Sequence, residues 1–290
     1  MPKHTRFEQV RTALENATVA GGWPSHIYEF LLFGFKQAWA CLFGALILFL
    51  LIATHLFYPD DAPLARYDFL TLAAIGIQIA LLRFRLETLE EAKVILAFHI
   101  VGTVMELFKT AAGSWVYPEP AILKIGDVPL FSGFMYAAVG SYIARIWRIF
   151  DFRFTHYPPR WATMLLAAGI YVNFFAHHWV ADMRAPLLAV TAILFLRCRI
   201  YYTPFRTPRW MPLLIGFFLV AGFIWLAENI ATFSNAWIYP DQKDGWRMVS
   251  SAKLVAWYLL IIISFLLVSL LHRPEAVSER MPERTAGARG

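Results

Sequence analysis

Two acids in this chain recur inside the same frame of residues. Glu106 opens ELFKTAAGSWVYP and Glu228 opens ENIATFSNAWIYP, and both stretches fit E-x3-T-x4-W-x-Y-P. The shared positions are Glu106, Thr110, Trp115, Tyr117 and Pro118 in one copy and Glu228, Thr232, Trp237, Tyr239 and Pro240 in the other. Each frame closes a long apolar run, so each sets a carboxylic acid roughly ten residues ahead of an aromatic, proline-broken exit. An acid inside an apolar helix can hold and release a proton, which makes it a functional candidate by default.

The residues around each acid set the next expectation. At helical spacing His99, Gly102, Thr103, Glu106, Lys109 and Thr110 form one polar stripe on an otherwise apolar cylinder. Gly113 is the expected helix stop, which puts Glu106 roughly 10 Å inside that end. Glu106 is therefore expected to face the bundle interior, either paired with Lys109 or carrying a proton. Glu228, Thr232 and Asn235 repeat the stripe, but Ala231 replaces the lysine, and Lys253 is the nearest alternative cation. On that difference Glu228 is expected to be the neutral proton donor and Glu106 the charged partner. The plainer alternative is a Glu106–Lys109 pair that only orients its helix.

Other polar residues on apolar runs complete the candidate set. Asn173 and His177 share one helical face, with His178 and Asp182 on a neighbouring one. Adjacent histidines point about 100° apart, so this pair does not suit a single ion, and no H-x3-H or HExxH occurs. No metal and no cofactor is expected, and His177 reads as an interfacial or proton-relaying histidine. Gly133, Ala137, Gly140 and Ser141 line one side of the fourth run as a seam for close packing, from which Tyr136 could face Glu106. Ser132 and Tyr142 add hydroxyls there. In the first run Lys36 is expected to snorkel outwards, with Gln37 beside it and Glu29 at i−7. The paired tryptophans and tyrosines suit a membrane interface, and their recurrence relative to the acids also suits the lining of a shared cavity.

The elements that must position these residues follow from composition. Of 290 residues 59% are hydrophobic and 16% charged, which points to an all-α integral membrane protein rather than a soluble domain. Eight apolar runs are visible, at about 30–57, 67–84, 92–113, 129–149, 161–180, 185–202, 210–234 and 250–271. Each is near the ~20 residues that a crossing helix needs. Alternate loops are rich in arginine, with Arg83 and Arg85, Arg145 to Arg160, Arg197 to Arg209, and Arg273 onwards on one side. That side is expected to be cytoplasmic together with both termini, so the net charge of +6 sets topology and implies no nucleic-acid partner. No cleavable signal peptide is expected.

The two frames end the third and seventh runs. The halves, about 29–150 and 160–272, therefore run the same way and imply a parallel 4+4 internal repeat. Leu82-Arg83-Phe84-Arg85 and Leu196-Arg197-Cys198-Arg199 are a second, fainter echo. Residues 1–28 read as a polar cytoplasmic lead and 273–290 as a disordered polar tail around the membrane domain, 29–272.

With these residues in view the chain resembles the bacterial membrane-protein family catalogued as domain of unknown function 817. The stretches that carry the resemblance include EFLLFGFKQAWACLFG, LRFRLETLEEAKVILAFHIVGTVMELFKTAAGSWVYPE and IWLAENIATFSNAWIYP. That family implies no activity. Glu106, Gly113, Trp115, Tyr117 and Val128-Pro129-Leu130 are also similar to the E…G…Y…VPL pattern of carotenoid hydratases and membrane lycopene cyclases. This second resemblance implies protonation of a polyene double bond by a buried acid.

Three functions remain in competition. The first is an acid–base enzyme for a lipophilic, isoprenoid-like substrate, with Glu106 and Glu228 catalytic and Lys109, Tyr136, His99 and His177 in support. Thr110, Trp115, Tyr117, Thr232, Trp237, Tyr239 and Asn173 would line its pocket. The second is a proton-coupled transporter of a small solute, and the third a membrane scaffold. The bilayer is the expected partner in all three, joined in the first by a lipophilic small molecule.

Overall fold

In the computed structural model of the protein, residues 23–177 and 179–277 are described. His178, most of the expected lead and most of the expected tail lie outside them. Nine α-helices account for most of the described residues: α1 (Trp23–Ala40), α2 (Leu42–Phe57), α3 (Arg66–Arg83), α4 (Leu89–Ala111), α5 (Phe131–Phe150), α6 (Arg160–Ala176), α7 (Arg184–Phe195), α8 (Leu213–Phe233) and α9 (Ala252–Leu271). Among them α4, α8 and α9 are long and apolar enough to cross a membrane, and α1 with α2 make a fourth if taken together. Their outer faces carry exposed apolar side chains such as Phe49, Leu96 and Phe223, the last 72% exposed.

The helix boundaries depart from the apolar runs in two places. The first run is two helices bent by 67° at Cys41. At the bend the buried Arg145 of α5 donates to the carbonyl of Trp39 at 3.3 Å, so a side chain holds the backbone where the run breaks. The sixth run yields only the 12-residue α7, because its last residues are extended. The fold is also not purely helical. The connections hold a hairpin of β1 (Lys124–Ile125) and β2 (Val128–Pro129). They also hold a four-stranded sheet ordered β5-β4-β3-β6, from β3 (Arg153–Thr155), β4 (Arg199–Tyr202), β5 (Arg209–Pro212) and β6 (Glu275–Ala276). At two to four residues each, these strands are too short for an alternating pattern to show in the sequence.

The sheet and the two motif loops mark opposite ends of the bundle. At the sheet end, the segments after α5, α7 and α9 pair with one another. Lys36 is fully buried there and donates to the carbonyls of Thr203 and Pro204, at 3.2 and 2.6 Å. It does not snorkel, because those carbonyls satisfy it inside. Glu29 pairs with Arg209 at 2.7 Å rather than with Lys36. The start of α4 is fixed at the same end by a capping box, Thr88 with Glu91, and by two pairs to α5, Glu87–Arg145 and Glu91–Arg148.

At the motif end, the N-terminus of α3 holds both loops. Tyr67 donates to the carbonyls of Asn235 and Ala236, and Asp68 accepts from the backbone N–H groups of Ile122 and Leu123. The buried Arg66 bridges the loops, reaching Glu119 in one and the carbonyl of Ser234 in the other. Helices α4 and α5 pack most closely of all. A Cβ on Gly102 would lie 2.6 Å from that of Tyr136, and one on Gly133 would lie 2.5 Å from His99 and Thr103. The expected seam of Gly133, Ala137, Gly140 and Ser141 is thus the contact that brings α5 against the stripe of α4.

Candidate functional site

The two motif copies fold alike, and the reason is local. Gly113 and Asn235 stand at the same offset from their acids and both take a left-handed backbone, φ 70° and 54°. Each ends its helix with the same two hydrogen bonds: Gly113 N to Thr110 O and Ser114 N to Lys109 O, Asn235 N to Thr232 O and Ala236 N to Ala231 O. Glycine and asparagine are the residues that tolerate this cap. Asn235 is therefore a helix stop, not a member of the polar stripe. Beyond the caps the chains meet as a two-residue antiparallel bridge, with Val116 and Ile238 exchanging both backbone hydrogen bonds at 3.0 Å.

This geometry turns the aromatic exits back onto the acids. Glu106 is 3% exposed and accepts three hydrogen bonds: Trp115 Nε1 and Tyr117 O–H donate to Oε2 at 2.7 and 2.6 Å, and Tyr136 O–H donates to Oε1 at 2.7 Å. Glu228 is 4% exposed and accepts two: Tyr239 O–H on Oε1 and Trp257 Nε1 on Oε2, at 2.5 and 2.7 Å. Each acid thus takes the tyrosine of its own frame and one aromatic donor from the following helix. The cages adjoin, since the rings of Trp115 and Tyr239 meet edge to face with centroids 6.0 Å apart.

The expected Glu106–Lys109 pair does not form. Lys109 turns the other way, its Nζ 3.4 Å from His177 Nε2 and 4.4 Å above the ring of Phe174. Aromatic donors reach both oxygens of Glu106, so the carboxyl is hydrogen-bonded without the lysine. The cation near the cages is Lys253, lying 4.1 Å from the ring centre of Tyr239, the donor to Glu228, and 5.4 Å from that of Trp115. The expectation that Glu106 is the acid beside a cation is thereby reversed.

A thin apolar crevice runs beside the cages, lined from α4, α5, α6, α8 and α9 by residues that include Phe98, Gly102, Tyr136, Tyr171, Trp257 and Ser264. The crevice is narrow, with only about 30 Å³ wide enough to admit water. Tyr136 belongs to this wall and to the Glu106 cage, and Trp257 belongs to the wall and to the Glu228 cage. No group of three His, Cys, Asp or Glu side chains able to hold a metal ion occurs among the described residues.

Comparison with known proteins adds a family. The family described as protein of unknown function, DUF817, matches residues 29–265. The chain belongs to it. The "uncharacterized protein YoaT" of Bacillus subtilis (strain 168) is 42% identical over 258 residues, 89% of this chain and 96% of that relative. No solved structure matches.

In this DUF817 protein the remaining candidates divide between the cages and their surroundings. His99 packs against Phe134, ring centres 4.3 Å apart, and does not reach Glu106. His177 and Asn173 shape the turn after α6, where Asn173 Oδ1 accepts from Met183 N at 2.8 Å. Asp182 lies in that turn as the partner of Arg184. Thr232 accepts from Trp246 Nε1 at 3.2 Å, and Trp237 is buried among the loop aromatics, not on Glu228. None of Thr110, Trp115, Tyr117, Thr232, Trp237, Tyr239 and Asn173 lines the crevice. Sequence reasoning missed Trp257. Its one signal was position, since it lies 29 residues after Glu228 as Tyr136 lies 30 after Glu106.

Proposed function

We propose that this DUF817 protein is an integral membrane protein that performs acid–base chemistry on a lipophilic, isoprenoid-like molecule, with Glu106 as the acid and Tyr136 as its relay. The observation that carries the reading is the double position of Tyr136, in the wall of the apolar crevice and on Oε1 of Glu106. Trp115 and Tyr117 occupy Oε2, so a proton on this carboxyl sits on Oε1 and faces Tyr136. A phenol can pass a proton on. Glu228 meets the crevice only through Trp257, whose indole N–H donates and does not relay. Glu106 therefore replaces Glu228 as the donor, and Glu228 with Lys253 holds the loop bridge and the field around it.

In the proposed step, the hydrogen on Glu106 passes to the oxygen of Tyr136 as Tyr136's own hydrogen passes to a double-bond carbon. The carboxylate left behind accepts from three donors, Trp115, Tyr117 and the re-protonated Tyr136. The cationic carbon faces the rings of Trp257, Tyr171 and Phe98 rather than the motif aromatics. The thin apolar walls favour an extended hydrocarbon over a hydrated solute, which weighs against transport of a polar molecule.

The membrane setting belongs to the same proposal: eight spans in the cytoplasmic membrane, α1 with α2 counting as one, and both termini inside. It is supported by the alternation of helices between the two ends and by the gathering of arginine-rich connections at the sheet end. The matched caps and cages favour two parallel halves of four spans.

Mass spectrometry of a solvent extract of the purified protein tests the function. Wild type should retain a lipophile, and Glu106→Gln should retain it in a different, unreacted form. Glutamine fits the cage, with its carbonyl towards Trp115 and Tyr117 and its amide towards the phenol of Tyr136. An extract with no lipophile, or identical from both proteins, counts against the proposal.

A further inference from the structure

A second cleft lies at the opposite end of the bundle, on the outward face of the four-stranded sheet. Alternation along β4 sends Ile200 into the core at 6% exposure and leaves Arg199 and Tyr201 outside, where Thr155 pairs opposite Arg199 and Trp210 opposite Tyr201. The cleft holds about 600 Å³ wide enough to admit water and is bordered by Thr155, His156, Arg197, Arg199 and Trp210. Neither Arg197 nor Arg199 makes an ion pair among the described residues, and Arg199 stacks on Trp210 at 4.2 Å. The nearby carboxylates of Asp151 and Glu275 are turned to Arg153. The Oγ1 of Thr155 is shielded from solvent and has no hydrogen-bond partner. His156 holds a left-handed backbone, φ 52°.

These features converge on an anion. Two exposed guanidinium groups without an ion-pair partner among the described residues, at the border of an open cleft, match the oxygens of a phosphate. The apolar border argues which phosphate. Leu196 is 71% and Trp210 50% exposed beside the arginines, so a ligand there meets charge on one side and a hydrocarbon-like surface on the other. We propose that this cleft binds the phosphate of an anionic phospholipid headgroup. Its assignment to the cytoplasmic leaflet rests on the topology proposed above; the binding does not. The Leu-Arg-Cys-Arg stretch at 196–199, an echo with no part in the acid cages, thereby acquires a role.

The test titrates full-length protein in mild detergent with phosphatidylglycerol, phosphatidylcholine and inorganic phosphate, read by native mass spectrometry and thermal shift. Phosphatidylglycerol should bind and stabilise, phosphatidylcholine should not, and Arg197→Gln with Arg199→Gln should weaken binding about tenfold. Both arginines are exposed, so the variant should fold. Arg160→Gln, an exposed arginine outside the cleft, should leave binding unchanged. Equal binding of both lipids, or unchanged affinity in the double variant, overturns the proposal. Stabilisation by inorganic phosphate alone would assign the cleft to a soluble anion and overturn it too.

Discussion

Gly102→Ala probes the contact on which the Glu106 cage depends. The new methyl would lie 2.6, 2.7 and 2.8 Å from Cβ, Cγ and Cδ2 of Tyr136, where carbon atoms prefer about 3.5–4.0 Å. Relief requires α4 and α5, or the tyrosine, to shift by about 1 Å. That shift stretches the 2.7 Å bond from Tyr136 to Glu106 beyond useful length. Overpacking costs about 1–3 kcal/mol, and loss of a donor to a buried carboxyl costs a similar amount. Because one displacement causes both, we expect about 2–4 kcal/mol in total, or roughly 5–15 °C in Tm. The assay is thermal unfolding in detergent, with Gly222→Ala as the control because nothing lies within 4 Å of its added carbon. The control should be neutral or stabilising, by up to about 1 kcal/mol, because alanine is the better helix former. In a double-mutant cycle Gly102→Ala should cost less when Tyr136 is already phenylalanine. Equal stability of Gly102→Ala and Gly222→Ala would refute the close approach and the cage built on it.

Other expectations can be checked on the same preparations. Glu87→Gln should lower stability by about 3–5 kcal/mol by stranding the fully buried Arg145, and adding Arg145→Met should recover much of it in denaturation curves. At the loop caps Asn235→Gly should be neutral or stabilising, whereas Gly113→Ala should cost about 1–2 kcal/mol, because only the second forces a Cβ into the left-handed region. Burial pushes the Cys198 thiol up to about 12. The reactive thiolate is therefore scarce below that pH, and in Cys41→Ser protein Cys198 should resist maleimide at pH 8 until the protein unfolds. Rapid labelling of the folded protein would contradict that burial.

What could be read from the sequence was whatever repeats or has a period. The frames around Glu106 and Glu228 are visible because spacing carries them, and the approach of Tyr136 followed from a run of small residues on one helical face. Trp257 was not legible, because its helix offers many apolar residues and only the fold selects which ring reaches Glu228. The clasp of Arg66, Tyr67 and Asp68 was hidden for a similar reason, since its partners are backbone groups of loops far along the chain. Lys36 and Lys109 were misplaced by the same default, in which a lysine seeks a carboxylate or water. One found loop carbonyls, and the other found an imidazole and a ring. The break at Cys41 left no proline or glycine pair to announce it, because a buried arginine from another helix holds it.

The central claim is a proton moving between Glu106 and a hydrocarbon through Tyr136, and isotope exchange reads it directly. Protein and its extracted lipophile are recombined in D2O, and deuterium on carbon is counted by mass spectrometry for wild type, Glu106→Gln, Tyr136→Phe and Trp257→Phe. Wild type and Trp257→Phe should place deuterium on carbon, Glu106→Gln should place none, and Tyr136→Phe should be slower by about 10²-fold or more. Deuterium appearing equally in wild type and Glu106→Gln, or in neither, would contradict the account.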